Sequence, residues 1–382
     1  MAFAQNTRSI FSRTSISYLL DWLVIVIFLG IAGAFSFVEP IKRDFSLTDK
    51  SISFPYRKDT ISIPLLFVVA VIAPAVMIAA ICGVLVRLPS RPGPVPSRSA
   101  IWKRKLWELH AAWLGLALSL TLSLFLTQTM KNMFGKHRPD FLARCNPDIS
   151  KMSHYIVGGY TSEILEGTSQ LVRWEICLNK DGGRVSKSEF IDGFRSFPSG
   201  HCTVAFAGLI YLSLFLAAKS SAAIPFLPPL SKDAFHPKRT LQERRKAAAP
   251  PLYLLAITLT PIAAAIYIAS TRYTDDKHAG FDVLFGSLEG LICAWFAFRY
   301  YHLPIRRGAG WAWGPRHWSA AFGIGMGVGS YGTSIHSEGK QRQGYDIESG
   351  VNAGGHIANV ELHDLEPAGA AGRSYESQRA LV

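Results

Sequence analysis

Three short polar stretches hold residue types suited to an anionic ligand. KNMFGKHRPD (131–140) carries Lys131 and Arg138, which share a face if one helix runs through both. FPSGH (197–201) sets Pro198, Ser199, Gly200 and His201 directly against a long apolar run. TRYTDDKHAGFD (271–282) places Arg272 six residues before His278, and His278 four before Asp282. Lys131, Arg138 and Arg272 supply three cations, and the two guanidiniums grip phosphate oxygens in a bidentate fork. Ser199 adds a hydroxyl. Ser199, Gly200 and His201 add backbone N–H groups at a predicted helix N-terminus, where unpaired donors and the macrodipole favour an anion. Gly200 lets the backbone come close, and Pro198 suits the position ahead of a helix start. The pattern reads as a phosphate cradle.

Two histidines divide the remaining labour. A carboxylate at i+4 shares a helical face with His278, so Asp282 can hold one imidazole tautomer and leave the other nitrogen to attack. That suits a nucleophile forming a phosphohistidine. His201 has no acidic partner in sequence and suits a general acid that protonates the leaving oxygen, then a base that activates water.

The elements that must position these groups are membrane spans. The chain has 382 residues, 49% of them hydrophobic, and the apolar residues come in blocks. Six blocks approach the roughly 20 residues that cross a bilayer. They run from about Tyr18 to Phe37, Pro64 to Val86, Ala111 to Met130, Cys202 to Ala218, Pro251 to Ser270 and Val283 to Tyr301. No small-x-small cleavage site follows the first, which is expected to be a retained span. Pro74 and Pro261 fall inside blocks and predict kinks, because neighbouring helices can satisfy the freed carbonyls. The net charge of +13 is concentrated in two inter-span loops, RLPSRPGPVPSRSAIWKRKLW and residues 219–250. Such loops stay cytosolic and can touch anionic lipid headgroups. No aromatic-interleaved basic groove is visible, so no nucleic-acid partner is expected. With those loops in the cytosol, all three polar stretches fall on the opposite, non-cytosolic side. The expected organisation is a short cytosolic N-terminus (1–16), a six-span domain (17–305) and a disordered Gly-rich cytosolic tail (306–382).

Taken together the motifs resemble the three-part signature of the type 2 phosphatidate phosphatase superfamily, K-x6-RP, PSGH and SR-x5-H-x3-D. They stand here as Lys131 to Pro139, Pro198 to His201, and Thr271 to Asp282, with Thr271 in place of the usual serine. GKHRPDFLARC further resembles the fungal-type lipid phosphate phosphatase and diacylglycerol pyrophosphate phosphatase branch. The resemblance covers roughly residues 15–305 in layout. It implies an all-α, six-transmembrane-helix bundle of the type 2 phosphatidate phosphatase or haloperoxidase-like kind. It also implies a metal-independent phosphohydrolase that takes lipid phosphates from the bilayer and needs no cofactor. His278 maps to the nucleophile, Asp282 to its orienting acid and His201 to the acid/base. Lys131, Arg138, Ser199, Gly200 and Arg272 map to phosphate contacts.

Other readings carry less. A lipid-phosphate carrier would bind near the bilayer midplane, whereas these cations cluster at span ends. An inactive lipid-phosphate binder needs neither histidine. Asp275 and Asp276 read as a solvated turn rather than a metal pair. No H-E-x-x-H, D-x-D-x-[TV] or EF-hand spacing occurs. GIGMGVG reads as linker, and the C-x5-R spacing of Cys293 and Arg299 lies in an apolar helix without a phosphate loop. Asp21 and Glu289 are costly within spans and are expected to face polar partners inside the bundle. Cys145 and Cys177 share the long non-cytosolic loop, as a disulfide or as two free thiols.

Overall fold

The computed structural model describes residues 12–84, 97–160, 169–222, 249–305, 310–317 and 321–323. Six helices in it are long and apolar enough to cross a membrane: α1 (Arg13–Phe37), α2 (Ile63–Val84), α3 (Arg98–Phe134), α4 (Gly200–Ser220), α5 (Leu252–Thr274) and α6 (Gly280–Tyr301). The protein is a multi-pass, all-α membrane protein. Serine side chains start three of these helices. Ser12, Ser62 and Ser97 each accept a backbone N–H of the first turn, which satisfies one of the donors a helix start leaves unpaired. Ser97 begins α3 well ahead of the apolar block, so the basic segment from Arg98 is helical rather than loop.

α4 is the most enclosed helix and packs against α3, α5 and α6. α6 approaches it through two small residues one turn apart. A Cβ on Gly286 would sit 2.7 Å from the Ser199 carbonyl, and one on Gly290 would collide with the Thr203 carbonyl. This small-x-x-x-small stripe lets two backbones meet without side chains between them. At Pro261, inside α5, the carbonyl of Ile257 loses its helical partner. The next carbonyl, of Thr258, accepts the Ser213 hydroxyl at 2.8 Å from α4. In α2 the turns ahead of Pro74 widen into a π-helical segment over Val68–Ile72.

A second, smaller core sits on the bundle end that carries the polar stretches. Phe45 and Ile52 from the first inter-helix loop pack there with Phe141, Val172, Phe190 and Phe194 from the long loop. A two-stranded antiparallel sheet, β1 (Ile156–Tyr160) and β2 (Ser169–Val172), belongs to this cap. Cys145 and Cys177 are joined by a disulfide across it.

At the opposite end, residues 310–317 and 321–323 pack on the bundle, although the sequence places them in a disordered tail. Trp311 joins the core between the cations of Arg104 and Lys219, each 4.4 Å from its ring. Arg316 pairs with Asp21 at 2.8 Å, and Asp21 also accepts the Tyr301 hydroxyl at 3.2 Å, which gives the intramembrane acid its partners. Residues 324–382, with all of the GIGMGVG stretch but its first glycine, and residues 223–248 lie outside the described residues.

Candidate active site

The three polar stretches meet beneath the cap. Gly135, in the left-handed conformation (φ 56°), ends α3 at Phe134. Lys131 therefore stays in the last helical turn while Arg138 lies past it, and the two share no helical face. Arg138 is brought back by its own backbone: its N–H donates to the Gly193 carbonyl at 2.9 Å, and Nη2 pairs with Asp192 at 2.8 Å. Burial works to raise the Asp192 carboxyl, but the charges of Arg138, Lys131 and Arg144 outweigh it and hold this acid below its usual range. Arg138 Nε is buried without a partner among the described residues.

Ser199 occupies the N-cap position of α4, yet its hydroxyl makes no capping bond. The side chain is 0% exposed and, among the described residues, Oγ has no hydrogen-bond partner. Where Ser12, Ser62 and Ser97 cap their helices, Ser199 keeps its hydroxyl free. Gly200 follows, and a Cβ there would sit 3.2 Å from Lys131 Nζ, in the space beside the ammonium. Arg272, 1% exposed, pairs through Nη1 with Asp59 at 3.1 Å; its Nε is also buried and, among the described residues, unpartnered. Each stretch thus contributes a buried donor without a partner among the described residues: Arg138 Nε, Ser199 Oγ and Arg272 Nε. Left so, each would cost about 1–3 kcal/mol, a cost that an anion offering acceptor oxygens removes.

The charges of Arg138, Lys131 and Arg272 all act on His278, which is 2% exposed. Burial first, then those three cations, push its pKa well below the usual imidazole value. The ring is neutral at pH 7. Nδ1 lies 2.7 Å from the Ser196 carbonyl. A carbonyl only accepts, so Nδ1 carries the hydrogen and Nε2 keeps its lone pair.

Asp282 does not supply that bond. Its carboxylate accepts Lys136 Nζ and Ser196 Oγ, each at 2.6 Å, and the Ala279 N–H at 3.2 Å. The i,i+4 expectation fails because His278 lies ahead of α6, which begins at Gly280. Asp282 instead reaches the histidine through Ser196, holding its hydroxyl while its carbonyl holds the ring. The Asp282 backbone carbonyl also accepts the Ser199 N–H at 3.2 Å, tying the third stretch to the second. His201 Nε2 bonds the Ile61 carbonyl at 3.1 Å, which leaves Nδ1 to exchange a proton.

A further set of ion pairs braces the site. Asp140 accepts two bonds from Arg144, both at 2.9 Å, and one from Lys277 Nζ at 3.0 Å, so the first stretch is locked to the third. Asp275 accepts the Thr60 N–H and hydroxyl at 2.8 and 2.6 Å, and Asp276 pairs with Arg57 at 3.0 Å. These two acids clasp the 57–60 loop rather than forming a solvated turn. Sequence reasoning missed Lys136, Asp140, Arg144, Asp192, Ser196 and Lys277. Asp140 and Arg144, four apart in PDFLAR, left a readable signal; the others are joined only by folding. Among the described residues, no three His, Cys, Asp or Glu side chains lie in metal-binding proximity.

A six-span bundle with a cationic cradle and a neutral, oriented histidine is the architecture of a membrane phosphotransfer or phosphohydrolase protein. Comparison with known proteins agrees. The family model of the PAP2 superfamily matches residues 112–306, and the chain belongs to that superfamily. It is 27% identical over 286 residues to diacylglycerol pyrophosphate phosphatase 1 of Saccharomyces cerevisiae, covering 75% of this chain and 80% of that protein. Lipid phosphate phosphatase 2 of Arabidopsis thaliana is 26% identical, over 76% of this chain and 79% of its own. Phospholipid phosphatase 2 of Bos taurus is 28% identical, over 75% and 83%. No solved structure matches the chain.

Proposed function

We propose that the protein is a lipid phosphate phosphatase, hydrolysing phosphomonoester or pyrophosphate ends of membrane lipids without a metal. The observation that carries this reading is the set of three buried, unpartnered donors beside a neutral histidine. Lys131, Arg138, Arg272, Ser199 and the first N–H groups of α4 hold the phosphoryl oxygens. His278 Nε2 attacks phosphorus as the bond to the lipid oxygen breaks, and His201 protonates that oxygen. The products of this step are a free lipid alcohol and a phosphohistidine. His201, now neutral, takes a proton from water, the hydroxide attacks phosphorus, and the N–P bond breaks to restore His278. The cations stabilise charge on the transferring group in both steps. Asp282 acts through Ser196 as a positioning residue.

The reading places the site on the non-cytosolic side of its membrane. The basic start of α3, with Arg98, Lys103, Arg104 and Lys105 at the other end of the bundle, supports this orientation, as does the Cys145–Cys177 disulfide, which suits an oxidising compartment.

Phosphate release from phosphatidate in detergent micelles, with chelator present, tests the proposal. The wild type should release phosphate and His278→Ala should not. No release by a folded wild type across lipid and soluble phosphates would overturn it.

A further inference from the structure

A cavity of about 230 Å³ lies between α3 and α6, walled by Leu126, Met130, Phe285, Leu288 and Ile292. Leu126, Leu288 and Ile292 are exposed, so the outer lip faces hydrocarbon. One acid enters this apolar wall. Glu289, 8% exposed, accepts the Thr127 hydroxyl through Oε1 at 3.2 Å, while Oε2 is buried with no hydrogen-bond partner among the described residues. The neighbouring Thr203 hydroxyl is engaged with the Ser199 carbonyl at 3.0 Å. Among the described residues, no ion pair neutralises Glu289. A bare carboxylate oxygen in hydrocarbon is the costly form; the neutral acid presents one O–H donor on Oε2.

Thr127 stands between the cavity and the cradle. The Thr127 methyl lies 3.7 Å from the Cβ position of Gly200, and its hydroxyl reaches Glu289. Thr127 is one turn below Lys131 and Glu289 two turns below Asp282, about 6 and 10 Å along their helices. A glycerol unit and its first ester group extend that far from a phosphate.

We propose that this groove takes an acyl chain of the substrate and that Glu289 donates a hydrogen bond to the ester carbonyl at the head of the chain. The assignment rests on the phosphatase reading and deepens it: the preferred substrates are ester-linked lipid phosphates.

The test compares kcat/KM for a diacylglycerol phosphate and its diether analogue, which lacks the carbonyls, in detergent micelles. p-Nitrophenyl phosphate serves as a soluble control. The wild type should favour the ester about five- to tenfold, the worth of one hydrogen bond. Glu289→Leu should abolish the preference and Glu289→Gln, which keeps an N–H donor, should retain most of it. Soluble turnover should be unchanged in both. A second variant, Ile292→Trp, fills the lip and should slow both lipids but not the soluble substrate. An ester preference absent from the wild type or intact in Glu289→Leu would overturn the proposal, as would rapid lipid turnover by Ile292→Trp. Hydrolysis of no substrate by the wild type would instead refute the phosphatase reading itself.

Discussion

Asp282 and Ser196 give the sharpest test of how His278, the proposed nucleophile, is held. Asp282 touches Ser196 and Lys136 at 2.6 Å, and only Ser196 touches His278. A hydrogen bond to a charged group contributes about 1.5–3 kcal/mol. Lys136 is 42% exposed, so solvent screens its share and the Ser196 bond carries most of the effect. If that energy is what keeps the ring in line, its loss slows the chemical step by roughly 10- to 150-fold. Ser196→Ala and Asp282→Asn should each lower kcat within that range. Neither residue belongs to the cradle, so KM should hardly move. The double variant should be no more than about threefold slower than Asp282→Asn, because both changes cut one relay. Steady-state phosphate release, with thermal midpoints to check folding, measures all four proteins. Ser196→Ala at wild-type rate beside a crippled Asp282→Asn would refute the relay and put the carboxylate directly on His278 during turnover.

In the proposed mechanism His278 reacts in its neutral form, and its folded pKa is pushed well below 6.5. The acid limb of kcat/KM from this group should therefore lie below pH 6.5, and Arg138→Gln, which removes a neighbouring positive charge, should move it upward. Burial also pushes His137 to about 4 and His302 to about 3. The unfolded chain binds more protons than the folded one below about pH 6.5, so stability should be full above that pH and decline as pH falls toward 4; thermal midpoints at pH 7.5 and 5 read this. Replacing Cys145 and Cys177 together by serine opens a link across a sequence separation of 32 and should cost about 3–4 kcal/mol, seen as a lower thermal midpoint in the oxidised protein. Gly286→Val drives a side chain onto the Ser199 carbonyl and should impair activity and folding together, whereas Ala at exposed Gly30, which has nothing within 4 Å, should do neither.

The sequence by itself determined the six spans, because a bilayer demands long apolar runs and these stand out in any chain. It also named the candidate cradle residues, since Lys131, Arg138, Ser199, Gly200, Arg272, His201 and His278 stand in short motifs at span ends. Its errors came from extending helices through places where the backbone turns. Gly135 ends α3 before Arg138, and α6 starts after His278, so neither spacing rule applied. Only the tertiary structure decided what holds His278, because the Ser196 carbonyl lies 82 residues away and a backbone carbonyl has no sequence signature. It alone gave Asp21 and Glu289 different surroundings: Arg316 and Tyr301 for one, Thr127 and an apolar groove for the other. Both acids look alike in sequence. Which of them finds a counter-charge depends on where distant segments pack.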